Sequence, residues 1–234
     1  MPRRAQRSLA AIFVGIAAVC AGLGIWQLNR LKGRRAANAV ATARRSLPPV
    51  TLGPSIPVVD SSLVQRRVIA SGRFDYAREI VIRGQVLEGV PGIHLVTPLV
   101  LDSQGTAVLV NRGFVPSPDA LTVSSLESSH EAGVVEFEGL ALPIESSGRG
   151  KPVTHGGRTS WARLDLGAMR DSLPYDLLSV YIRRAAPAKS AASFPRALPF
   201  PPLDDGPHLN YALQWFGFMS VALVFAGVVW RKRV

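Results

Sequence analysis

His208 is the residue of this chain best placed to do chemistry. Behind it, at helical spacing, stand Tyr211, Trp215 and then Phe218 or Met219, so one imidazole tops a mostly aromatic stripe. A second group, Trp26, Gln27 and Arg30, lies at the end of the other long apolar run. If the two runs are antiparallel helices, the end of the first meets the start of the second, and these residues share a level with His208 and Tyr211. The positive end of a helix disfavours a cationic imidazole, and a neutral imidazole is what a metal ion requires. Arg30, at the negative end of the first helix, suits an anionic group. A haem meets both demands, with iron at His208, propionates at the basic rim and its plane against aromatics. The same residues also describe an aromatic belt at a membrane surface with no ligand at all.

Two apolar runs must position this group. Tyr211 to Trp230 is twenty residues without a charge, and Leu9 to Leu28 is twenty more. At about 1.5 Å per residue either crosses a bilayer core. The first run is longer than the apolar part of a signal peptide and ends in Trp-Gln rather than a small-x-small site, so it reads as an uncleaved helix. Ala11, Gly15, Ala18 and Gly22 recur along it as a flat face, continued by Trp26 and Arg30, on which another helix or a planar ligand could lie.

Composition narrows the function classes. The net charge of +11 suggests nucleic acid until the charges are located. Ten of the 27 basic residues flank the apolar runs, and all 16 acids fall between Asp60 and Asp205, so residues 36–207 carry 17 basic and 16 acidic side chains. The excess belongs to the span ends, where Lys and Arg anchor helices, and no nucleic-acid partner is expected. The single cysteine, Cys20, excludes an internal disulfide, a CxxC pair, covalent haem attachment through CxxCH and a thiolate copper carrier. Val19 before it does not suit lipidation. Taking the basic flanks together with Asp204 and Asp205, both termini are expected in the cytoplasm and the segment between the spans outside it.

That segment changes character after Pro48, becoming short β-branched and aliphatic runs broken by Gly, Pro, Asp and Ser. Strands are expected at Arg67–Phe74, Glu79–Arg83, Ile93–Leu101, Ala107–Val115, Val134–Leu142 and Val180–Arg184, with a short helix near Leu166–Ser172. The expected class is therefore membrane α + β: two transmembrane helices flanking an extracytoplasmic, mainly antiparallel sheet or barrel. The division is a basic tail 1–8, a first span 9–28, a basic juxtamembrane segment 29–47 that extends the helix or leads away from it, and a β-rich domain 48–184. A stiff Pro-rich connector 185–207, a second span 208–230 and a basic tail 231–234 follow.

Within the domain, a hairpin is expected to turn near Asp102-Ser103-Gln104-Gly105, with Asn111-Arg112-Gly113 as a bend and Arg112 in a buried ion pair. His94, His130 and His155 share no metal-ligand spacing and are read as non-catalytic. No nucleophile elbow, phosphate loop, HExxH or dinucleotide fingerprint is present, and Ser160 with Asp165 lacks a paired base, so an enzyme is not expected.

Three segments together resemble the surfeit locus family of cytochrome c oxidase assembly factors. They are Gly24-x-Trp26-Gln27-x-x-Arg30 at the end of the first run, then Gly92 with Thr97-Pro98-Leu99 and Val110 to Pro116 in the middle, and His208-x-x-Tyr211-Ala212 with Trp215 in the second run. The order, spacing and two-span layout agree over nearly the whole chain. The resemblance implies a membrane-bound chaperone without turnover that receives haem a from its synthase and assists insertion into the oxidase catalytic subunit. His208 is then the ligand of the haem iron, with Tyr211, Trp215, Trp26 and Arg30 around the haem and membrane lipid about the helices. The alternative it leaves is an interaction scaffold for oxidase subunits that does not bind haem.

Overall fold

The computed structural model describes residues 3–53, 61–102, 105–121, 130–144, 152–155, 158–186 and 194–231. Residues 1–42 and 202–234 make a helical unit, and residues 43–201 make a β unit.

The first helix, α1 (Arg3–Ser46), is 44 residues long, about 66 Å at 1.5 Å per residue. The juxtamembrane segment continues it without a break, because proline is absent until Pro48, which disfavours helical geometry in the residue before it. The last helix, α3 (His208–Arg231), begins directly after Pro207, a residue whose fixed φ suits a helix start. Both helices are long and apolar enough to cross a membrane.

Their contact face differs from the one the small residues suggest. Ala10, Ala17, Cys20, Gly24 and Leu31 of α1 are buried, with Phe13 and Gln27 half-buried between them. Positions 10, 17, 24 and 31 with 13, 20 and 27 form a heptad seam. Ala11, Gly15, Ala18 and Gly22, one residue round the helix, are exposed. The α3 seam runs through His208, Ala212, Trp215, Met219, Ala222 and Ala226. Phe13 stacks on Phe225 with ring centroids 5.6 Å apart, and a side chain on Gly24 would meet the Phe216 ring at 2.6 Å. Ala10, Ala17 and Gly24 let the backbones approach on this seam, with the larger Phe13, Gln27 and Leu31 filling between them.

Among the described residues the β unit holds nine strands: β1 (Val50–Leu52), β2 (Arg67–Phe74), β3 (Ile80–Leu87), β4 (Val90–Val100), β5 (Thr106–Pro116), β6 (Val135–Pro143), β7 (Val153–His155), β8 (Arg158–Trp161) and β9 (Asp176–Arg184). Their order is β1-β2-β6-β9-β5-β4-β3-β8-β7. A further pairing of β2 with β4, at Arg73↔Val100 and Phe74↔Leu99, closes β2, β6, β9, β5 and β4 into a ring. Of the two expected forms, sheet or barrel, the ring is a small barrel with β3, β8, β7 and β1 added outside it. Most pairs are antiparallel, but β1–β2, β3–β8 and β5–β9 are parallel.

All six expected strands form; β1, β7 and β8, of three or four residues, are too short to carry a pattern. Alternation of buried and half-buried residues, as along Arg67–Phe74, packs Val68 and Ala70 with Leu99, Val108, Phe137 and Ile182 in the core. The helix α2 (Leu166–Ser172) starts at Asp165, whose carboxylate accepts the Ala168 N–H at 3.2 Å, and buries Leu166 and Met169.

The bend expected at Asn111-Arg112-Gly113 is a bulge within β5. Leu95 pairs with Gly113 and Val96 with Asn111, so Arg112 is the extra residue. The Pro-rich stretch is partly docked: Arg196 exchanges both backbone hydrogen bonds with Phe114 at 2.8 Å, and Leu198 is buried. Residues 187–193 of that stretch, the hairpin residues Ser103 and Gln104, and Lys232 and Arg233 lie outside the described residues.

Candidate functional site

Asp204 and Asp205 set the entry to α3. Arg35 pairs with Asp205 at 2.8 Å, while Arg34 and Asn38 donate to the backbone carbonyl of Asp204 at 3.1 and 2.7 Å. These contacts are exposed and each is worth little, but three side chains on adjacent turns of α1 fix the register of the helix pair at this end. The Asp204 carboxylate then accepts the Gly206 N–H at 3.0 Å, and Gly206 turns the chain at φ +68°. That left-handed conformation favours glycine. Pro207 follows, and its carbonyl accepts the first helical hydrogen bond from Tyr211 at 3.1 Å.

His208 thus enters half-buried on the α3 seam, and its Nδ1 lies 2.9 Å from Oε1 of Gln27. An amide oxygen only accepts, so Nδ1 carries a proton, and in the neutral ring it is Nε2 that keeps the lone pair. A side chain on Gly206 would stand 3.7 Å from Nε2; glycine leaves that side of the ring clear. A neutral imidazole held by its other nitrogen is the usual arrangement of a metal-ligating histidine.

The other four expected residues do not all converge on it. Among the described residues, Trp26, Arg30, Tyr211 and Trp215 neither hydrogen-bond to nor stack with the imidazole. Trp26 is 51% exposed and carries the Arg30 guanidinium 5.5 Å above its ring. Tyr211 is 48% exposed. Trp215 sits on the seam, edge-on to Phe218 with centroids 5.9 Å apart. The aromatic stripe behind His208 is therefore split: Trp215 and Met219 face the partner helix, while Tyr211 and Phe218 face outward. Sequence reasoning set Gln27 level with His208 but gave it no role, and it left out Gly206. Gln27 could have been found from the heptad, which puts it on the seam three residues after Gly24.

In the β unit, Arg112 makes the expected buried ion pair. Its Nη1 donates to Glu79 Oε2 at 2.9 Å, with both side chains nearly inaccessible at 2% and 6% exposure, and Thr97 Oγ1 donates to the same oxygen. The guanidinium lies over the adjoining rings of Phe74 and Tyr76, 5.4 and 4.9 Å from their centroids. His130 stacks on the Tyr76 ring at 3.8 Å. Hydrogen bonds from Arg184 hold the Glu131 carboxyl below its usual range, against the opposing effect of burial. Burial also works to raise Asp75, but hydrogen bonds from Tyr175 and Arg78 outweigh it and hold that carboxyl low.

Comparison with known proteins follows the same organisation. The sequence pattern of the SURF1 family matches residues 14–220, from inside α1 to inside α3. A SURF1-like protein of Monosiga brevicollis is 27% identical over 232 residues, covering 94% of this chain and 86% of that protein. A SURF1-like protein of Rickettsia felis is 26% identical over 91% of this chain and 92% of its own length. Surfeit locus protein 1 of Homo sapiens is 27% identical over 91% of this chain and 73% of its own length.

Proposed function

The chain belongs to the SURF1 family, and on that premise we propose that it is a non-catalytic assembly factor for haem-copper cytochrome c oxidase that holds haem a at His208. The observation that carries the reading is the Gln27–His208 hydrogen bond, which leaves Nε2 as the donor atom. Its support is chemical: a neutral, oriented imidazole beside a residue without a side chain fits an axial iron ligand. The exposed Trp26 and Tyr211 offer ring surface beyond the imidazole, and Arg30 offers a cation for an acidic edge. A haem a group supplies the iron that accepts the imidazole lone pair. The chain's own part is to bind, orient and release. One protein ligand on an open helix end suits release better than a closed site with two.

In this reading α1 and α3 span the membrane with both termini in the cytoplasm, and the β unit lies on the outer side. Haem a comes from its synthase, and the recipient is the oxidase catalytic subunit. The test is the visible absorption spectrum of detergent-purified protein co-expressed with the haem a pathway, for wild type and His208→Ala. A haem a spectrum lost or shifted in the folded variant is expected. Wild type without haem, or an unchanged variant spectrum, removes His208 as the ligand.

A further inference from the structure

The β unit holds a second place suited to a ligand, and the proposed function does not use it. An open cleft of about 400 Å³ lies against one face of β3, β4, β5 and β9. Strand register places its lining residues. Ile82 pairs with His94, Val96 pairs with Asn111, and Asn111 pairs with Arg183, so these five side chains share a sheet face across four strands. The volume is that of a small-molecule site rather than of a water pocket.

The polar groups are ordered one by one. The Gly113 N–H donates to Asn111 Oδ1 at 3.1 Å, which turns the amide nitrogen of Asn111 towards His94 Nδ1, 3.4 Å away. Nδ1 is then an acceptor, and the ring's proton sits on Nε2. Burial, together with the nearby charge of Arg183, pushes His94 down to about 4, so the ring is neutral at physiological pH and offers an N–H rather than a charge. Arg183 gives one nitrogen to the Pro199 carbonyl at 3.0 Å, while its buried Nε has no hydrogen-bond partner among the described residues. That nitrogen is out of reach of solvent, so what Arg183 brings to the cleft is its charge rather than this N–H. Arg163 also lines the cleft, and among the described residues no Asp or Glu does. Ile82 and Val96 give it an apolar floor.

We propose that this cleft binds a small organic anion, its carboxylate or phosphate accepting from Arg183 and His94 and its apolar body lying on Ile82 and Val96. The Asn-Arg-Gly bulge then has two uses: Arg112 ties the fold to Glu79, and Asn111 sets the His94 donor. The inference does not depend on His208.

The experiment titrates the full-length, detergent-purified chain with butyrate, butyl phosphate and inorganic phosphate. The readouts are calorimetry and the imidazole nitrogen resonances of His94. Saturable binding of butyrate or butyl phosphate that moves the His94 signals is expected, tighter than inorganic phosphate. It should weaken about tenfold or more in Arg183→Gln, as removal of a charged hydrogen bond does, and be largely kept in Arg183→Lys. Preference between the two organic probes assigns the head group. His94→Gln decides the matter if Arg183→Gln does not fold. No saturable binding of either organic probe at millimolar concentration overturns the proposal, as does equal binding by the folded Arg183→Gln and His94→Gln proteins. In all cases His208→Ala should bind the probes as wild type does.

Discussion

Oε1 of Gln27 and Nδ1 of His208 lie 2.9 Å apart although 181 residues separate them in sequence. One helix seam delivers both, and the pairing fixes which imidazole nitrogen is free. Gln27→Leu should therefore keep the ligand but lose its orientation. Haem a affinity should fall about 10–100-fold, the usual effect of removing a ligand's hydrogen-bond partner. Without haem, the nitrogen resonances of His208 should move towards a tautomer mixture. Unchanged resonances would mean that Gln27 does not set the tautomer.

The seam itself is open to a paired test. Gly24→Val places atoms where the Phe216 ring stands, 2.6 Å from the new Cβ, so the ring must be displaced and the α1–α3 packing that holds His208 beside Gln27 is loosened. Gly22→Val meets nothing within 4 Å. The first should lower the thermal midpoint and perturb the His208 resonances; the second should do neither. Equal effects would move the seam to the face of Ala11, Gly15, Ala18 and Gly22.

Glu79 and Arg112 are expected to behave as a buried pair. Glu79→Ala strands the guanidinium and should cost about 3–5 kcal/mol, whereas replacing both by apolar residues of similar volume should cost much less. Urea unfolding of the two variants measures the difference. A single substitution costing no more than the double would show that the charge is already satisfied by other groups.

Stability should fall with acid in two stages. His94 titrates near 4 when folded and near 6.5 when unfolded, so between these values the unfolded chain binds more protons. Its contribution is complete above about pH 6.5 and is lost as pH falls towards 4. Glu131 and Asp75 are both held low in the folded state, so their contributions are present above the unfolded carboxylate values and are lost as pH falls through the folded ones. Urea midpoints measured from pH 7 to 3 should show the first decline beginning near 6.5, and His94→Gln should remove that upper stage alone. A flat profile between pH 6.5 and 5 in wild type would contradict the His94 assignment.

The sequence alone is enough to locate both long helices, six of the strands and α2, while β3 and β9 run beyond the expected ends, to Leu87 and back to Asp176. Two uncharged runs specify two long helices, and period-two alternation specifies Arg67–Phe74 at its observed ends, because both signals are carried by neighbours in the chain. Leu166–Ser172 was legible for the same reason, with a local cap at Asp165. Tertiary structure decided the rest. A helix apolar on nearly every side has no face chosen by hydropathy, and small residues line two neighbouring faces of it, so the contacts with α3, Phe13 on Phe225 and Gln27 with His208, mark the seam one residue round from the stripe of Ala11, Gly15, Ala18 and Gly22. The closure of β2 on β4, the parallel pairing of β5 with β9 and the bulge at Arg112 are set by partners far away in sequence. His208 could be picked out as a residue type in the right place, but its proton was assigned only when the fold brought Gln27 to it.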